Sequence, residues 1–261
     1  LTTALEMALF SKAHRSEKRI TAEVCVHHLW FDESRYEDLG TRIKCNPAIK
    51  ATSDREALVK AVNEGRIDVI ATDHAPHTFD EKQGTYFEAP AGLPLVQHAL
   101  AMALELVHDG VLSLPRLVHK VSHGPAELFN VRERGYLREG YWADLVLVDM
   151  DAPQSIRRED VLYKCGWSPF EGHEFTSTID TTVVNGQIAW RDGRLTDSDF
   201  IHHAMAIDCF QQADDDEWDR FEVYASIEDS YRRHSNLLAR SKRYNWMINA
   251  YHTGKDYPID R

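Results

Sequence analysis

The chain has 261 residues, 43% of them hydrophobic and 28% charged, an ordinary globular composition that suits one large domain or two smaller ones. Its formal net charge of -12, with no Lys/Arg cluster beyond three neighbours, argues against a nucleic acid or an anionic membrane as partner. Apolar runs such as Val69-Ile70-Ala71 are too short to span a bilayer, and four scattered cysteines (Cys25, Cys45, Cys165, Cys209) without a C-x-x-C pair fit a reducing cytoplasm.

Residues 1–10 run straight into a helix, with Thr2 or Thr3 as N-cap and no initiator methionine, so the chain reads as cut inside a domain. The spacing of Leu5, Ala8, Leu9 and Lys12 predicts an amphipathic helix over 3–14. Residues 20–26 read as a strand ending in His27-His28, followed by an acidic surface excursion over 32–38. Residues 42–47 form a short polar strand or loop bearing Asn46. A helix over 53–64 follows, with Ser53 as cap, Glu56 three positions on as in a capping box, and Leu58, Val59 and Val62 as its apolar stripe. Strand 67–72 leads into a loop, 73–92, rich in Pro, Gly, Asp and Glu. Further helices are predicted over 93–108, over 113–122 with Ser113 as cap and Pro115 in the first turn, and over 125–129. Strands alternating with helices imply a parallel sheet with crossover helices.

The pattern changes at Gly135. Residues 135–149 read as a turn and a strand, and 182–190 as a β-hairpin with Asn185-Gly186 at its turn. Residues 205–251 are helical in pattern, carry an acidic run at 214–217 and show no motif. The expected organisation is therefore an α/β part over 1–132, a β-rich module over 133–198 and a helical tail over 199–261.

Chemistry concentrates where buried strands end. Residues 67–78 pass from a β-branched run into Asp73, His74 and His77, and the strand before His27-His28 ends in the same way. In parallel sheets and barrels such ends share one rim, where catalytic groups collect. Imidazole and carboxylate suit a catalytic zinc, which lowers the pKa of its bound water towards ~7. Asp73 beside such an ion could be ligand, general base or both. Successive strand side chains diverge, so only one of His27 and His28 is expected to face the ion. His77, beyond Pro76, is better placed to contact substrate, and Asn46 has no evident structural task.

On these residues the chain resembles type I dihydroorotases of the amidohydrolase superfamily, in their C-terminal portion. The matching segments are Thr21-Ala-Glu-Val-Cys-Val-His-His-Leu29, Arg42-Ile-Lys-Cys-Asn-Pro47, Ile70-Ala-Thr-Asp-His-Ala-Pro-His77, Glu88-Ala-Pro-Ala-Gly92, Arg138-Glu-Gly-Tyr-Trp-Ala-Asp-Leu-Val-Leu-Val148 and Cys165-Gly-Trp-Ser-Pro-Phe-Glu-Gly172. The resemblance implies the C-terminal half of a (β/α)8 metal-dependent barrel with a small β-sandwich module. It implies reversible cyclisation of N-carbamoyl-L-aspartate to L-dihydroorotate in pyrimidine synthesis, with one or two Zn2+ ions. By the same resemblance His27 and Asp73 are metal ligands, Asp73 also shuttles the proton, and Asn46, His77, Ala91 and Gly92 hold the substrate under loop 78–90. The family's remaining ligands belong to earlier strands, so the 261-residue chain alone is expected to be inactive.

The expected partner is the small-molecule substrate, with a homodimer as the candidate assembly. Two rival readings are a non-catalytic dihydroorotase-like scaffold or partner subunit, and a cyclic amidase of the hydantoinase or allantoinase type. Retention of His27, Asn46, Asp73 and His77 argues against the first, and the Asn46 and Ala91-Gly92 pattern argues against the second.

Overall fold

The computed structural model describes residues 1–196; the acidic run and the helical tail expected further on lie outside the described residues. Strand β1 (Glu23–Cys25) pairs in parallel with β2 (Val69–Ala71), Val24 opposite Ile70 and Cys25 opposite Ala71. A parallel pair needs a long crossover. The connection here carries helices α1 (Val26–Trp30), α2 (Tyr36–Leu39) and α3 (Thr52–Asn63). Helix α3 buries Leu58, Ala61 and Val62. It starts one residue ahead of the expected Ser53 cap, with Ala51 at the N-cap and no capping side chain, so packing of this face holds the helix rather than its end.

Several sequence expectations are corrected. Residues 3–14 do not form one amphipathic helix: a 3-10 turn, Ala4–Leu9, ends at Phe10. The Thr3–Glu6 capping box forms, but a three-residue period turns Met7 inward and leaves Leu5 and Leu9 in solvent. Of the strand or loop expected over 42–47 the loop is found: a 3-10 turn, Gly40–Ile43, leads into an irregular segment with a cis Asn46–Pro47 bond. Residues 93–98 stay non-helical, with Leu93 bridged to His74, before α4 (Ala99–His108) begins. Pro94 accounts for the delay, since its ring disfavours helical backbone at Leu93.

The helices expected over 113–129 form one run: α5 (Leu114–Val118), a π turn (His119–His123) and α6 (Gly124–Leu128). Pro125 offers no N–H to a regular ladder, and the π turn carries the chain across.

Four strands make an antiparallel sheet in the order β3 (Leu145–Asp149), β6 (Thr178–Val184), β7 (Gln187–Arg191), β8 (Arg194–Leu195). The short pair β4 (Gln154–Ser155) and β5 (Glu174–Phe175) stands apart from it. Asn185 (φ +52°) and Gly186 (φ +81°) turn the β6–β7 hairpin with the left-handed backbone that a type I′ turn requires. The main core gathers Val24, Val26 and Leu29 with Leu58, Ile67, Met102 and Leu104, and Phe170 and Phe175 close one side.

Candidate active site

The groups singled out in the sequence fall into two adjoining sets. The first lies where β1 passes into α1. Because α1 follows β1 without a break, His27 and His28 occupy a helical turn instead of a strand end, and the divergence expected of strand neighbours does not apply. Their rings lie 4.2 Å apart and are tilted by 44°. With Cys45 they place one donor atom each within 4.8 Å of one another, a group able to hold a metal ion.

His27 is fully buried and neither ring nitrogen has a hydrogen-bond partner. Burial, reinforced by His28, pushes its pKa down to about 3, opposed by a contact with the Thr72 backbone too loose to count as an ordinary hydrogen bond. The imidazole is therefore neutral at physiological pH, the form that binds metals. His28 is held at about 4, chiefly by burial. Its Nε2 donates to the Pro47 carbonyl at 2.9 Å, while Nδ1 is buried without a partner.

Asp73 follows β2, and the parallel register sets that strand end beside the end of β1. Its backbone is left-handed (φ +47°), a strained conformation for a residue with a side chain. Desolvation raises its pKa. Its charge also reaches the neighbouring thiols: burial first, then Asp73, pushes both Cys25 and Cys45 up to about 12.

The second set is the loop after Asp73. His74 fixes the chain: its Nδ1 accepts from the backbone N–H groups of Leu95 (2.9 Å) and Val96 (3.2 Å). His77 Nε2 donates to the Ala91 carbonyl at 3.1 Å, and the Trp167 indole donates to the His77 carbonyl at 2.7 Å. Gly92 donates its N–H to Lys44 O at 2.9 Å, two residues before Asn46. Only glycine suits position 92, because its φ is +137° and a Cβ there would stand 2.5 Å from the Ala75 carbonyl oxygen. Asn46 itself is exposed. The structure thus joins His77 to Ala91, and Gly92 to the segment bearing Asn46.

Two residues of this neighbourhood escaped the sequence reading. Lys82 is fully buried, and its ammonium donates to the carbonyls of Pro90 (2.7 Å), Gly92 (2.9 Å) and Lys44 (3.0 Å), stapling the loop at three points. Burial lowers its pKa to about 8. It sits after Asp80 and Glu81 and carries no pattern that separates it from a solvated charge. Cys45 could have been found only from a thiol placed between Lys44 and Asn46, a faint signal.

Comparison with known proteins defines the class. The model of the amidohydrolase family matches residues 7–189, and the chain belongs to that family. Within it, the chain is 41% identical over 170 residues to a dihydroorotase of Halobacterium salinarum, covering 65% of this chain and 40% of that protein. It is 35% identical over 193 residues to a dihydroorotase of Clostridium acetobutylicum, covering 74% and 45%. The chain therefore spans less than half the length of these curated relatives. Among solved structures, L-hydantoinase from Arthrobacter aurescens superposes with a TM-score of 0.70 at 24% identity, over 76% of this chain and 45% of that one, a likeness of fold. No helix among the described residues is long and apolar enough to cross a membrane.

Proposed function

We propose that the polypeptide is a zinc-dependent cyclic amidohydrolase interconverting N-carbamoyl-L-aspartate and L-dihydroorotate in cytoplasmic pyrimidine synthesis. In this reading residues 1–132 are the later part of a (β/α)8 barrel and 133–198 a β-sandwich module. The observation that carries it is the buried, unpartnered imidazole of His27 at the same sheet end as Asp73. A neutral imidazole with unspent nitrogens in an apolar setting costs free energy unless a ligand takes it up, so the residues present fit a metal ion. Dihydroorotases at 34–41% identity support this substrate over the hydantoinases, whose likeness lies in the fold.

His27 and Asp73 would hold the ion, which when bound supplies Lewis-acid polarisation and a hydroxide at neutral pH. Asp73 takes the proton of the attacking water and passes it to the leaving ring nitrogen. Asn46, His77 and the backbone of Ala91 and Gly92 grip the substrate's carboxylate and ring. Lys82 holds that backbone in place, and loop 78–90 keeps bulk water from the reacting bond.

The test compares ring opening of L-dihydroorotate, hydantoin and allantoin with Zn2+ present. It uses this chain alone and together with a polypeptide supplying the rest of a curated relative's length. Turnover of dihydroorotate by the completed enzyme only, lost in Asp73→Asn, is expected. Preference for hydantoin or allantoin, or full turnover by Asp73→Asn, would overturn the reading.

A further inference from the structure

We infer that Cys45 and His28, together with His27, form a thiol-containing position for a soft divalent ion such as Zn2+ or Cd2+, with donors different from the His27–Asp73 pair. The inference shares His27 with the proposed reaction and does not depend on that reaction's substrate.

The geometry comes first. Three donor atoms no more than 4.8 Å apart leave a point within about 2.8 Å of all of them, 4.8 Å divided by √3. Zinc lies about 2.0–2.1 Å from imidazole nitrogen and about 2.3 Å from thiolate sulfur. Closure of each donor by roughly 0.5–0.8 Å therefore makes a site of two nitrogens and one sulfur, and an imidazole ring and a cysteine χ1 supply such movement without moving the backbone.

The donors are also in the right chemical state. A carbonyl only accepts, so the bond to Pro47 O places the proton of neutral His28 on Nε2 and its lone pair on Nδ1, which is buried without a partner. A hydrogen bond of this kind fixes the tautomer of a metal-binding histidine. Neither nitrogen of His27 makes a hydrogen bond of ordinary length and angle, the Thr72 backbone being its one loose contact. Cys45 Sγ lies 3.9 Å from His28 Nε2 and 3.2 Å from Pro47 O.

In the metal-free state the thiol donates its S–H to the Pro47 carbonyl, 3.2 Å away. When an ion binds, the metal–sulfur bond replaces the S–H bond and one proton passes to solvent for each ion taken up. The loaded site, a dication on one thiolate, carries one net positive charge.

Cobalt(II) titrated into the metal-free chain and followed by absorption reads sulfur ligation directly. The expected result is a thiolate-to-cobalt charge-transfer band in the near ultraviolet that persists in Asp73→Asn and Cys25→Ser and disappears in Cys45→Val. Cadmium NMR of the unmutated chain counts sulfur without any variant, and a one-sulfur resonance is expected. His28→Gln should weaken cadmium binding about tenfold or more, since even loss of a group behind a ligand is felt on that scale. Cobalt binding without the band, a band that survives Cys45→Val, or a cadmium resonance typical of nitrogen and oxygen donors alone would each overturn the inference. A band retained in Asp73→Asn while dihydroorotate turnover is absent separates this site from the proposed activity.

Discussion

The site region and the four-stranded sheet use the same residue types in opposite ways. Around β1, β2 and the loop after Asp73, ionisable groups are buried: His27, Lys82, Lys120 and Asp68 are all closed off, while Val24, Ile67 and Met102 complete an apolar core. In β3-β6-β7-β8 one face leans on the core through Val148 and Ile179, with Ala189 buried, while Val146 (47%) and Leu147 (50%) stand half in solvent. The sheet is specified locally, by pairing and by the Asn185-Gly186 turn, and needs little burial to take its shape. The site is specified only when remote segments meet: Lys44 with Gly92, Lys18 with Asp68, Cys45 with His28.

Acid should break this contrast most strongly. His27 is held at about 3, and His28 and His98 at about 4. In the unfolded chain these imidazoles titrate near 6.5. The unfolded state therefore takes up protons first as pH falls, so their contribution to stability is undiminished above about pH 7 and is lost progressively below 6.5. The slope is on the order of 1.4 kcal/mol per pH unit for each imidazole. Urea denaturation of the metal-free chain between pH 7.5 and ~4.5 should show the core transition shifting to lower urea. A flat profile would mean that these rings are hydrated in solution.

Next in size is the Lys18–Asp68 pair, whose side chains are 1% and 5% exposed at 2.8 Å. Asp68→Ala leaves the Lys18 ammonium buried without its carboxylate, at an expected cost of about 3–5 kcal/mol by chemical denaturation. Met102→Ala, in the core of the same region, should cost about 2–5 kcal/mol. Replacing Lys82 by Met removes one ammonium from three carbonyls and should cost about 1–3 kcal/mol. It should also open residues 79–90 to limited proteolysis, whereas Lys82→Arg keeps the charge and should restore part of the protection. Equal cleavage of both variants and the parent would show that the staple does not hold the loop.

The same contrast explains what the sequence disclosed. The hairpin was legible because Asn-Gly between apolar runs dictates its own backbone. The pairing of β1 with β2 was legible from short β-branched runs separated by a helical stripe. Asp73, His27 and His77 were visible as titratable residues at strand ends. Lys82 was not, because an ammonium bonded to three carbonyls looks, in sequence, like any loop lysine. Nor was the shift of His27 and His28 from strand to helix, since hydrogen bonding of the following turn decides it. The apolar periodicity of residues 3–14 misled for a related reason: it recorded residue types and could not show that Leu5 and Leu9 lie in solvent among the described residues.

The smallest expected effect bears most directly on the comparison. Leu147 lies on β3 beside the irregular step between Leu147 and Val148, and half of it is in solvent. Truncation of a side chain so placed removes about half the burial of a core leucine, so Leu147→Ala should cost about 1 kcal/mol. Leu58→Ala, equally a Leu but 1% exposed, should cost about 2–5 kcal/mol. Measured side by side by urea denaturation, the pair asks whether β3 is covered in solution. A loss of about 2 kcal/mol or more at Leu147, the scale of a buried leucine, would show that apolar surface packs on this face of the sheet, and the distinction between a buried site and an open sheet would then fail.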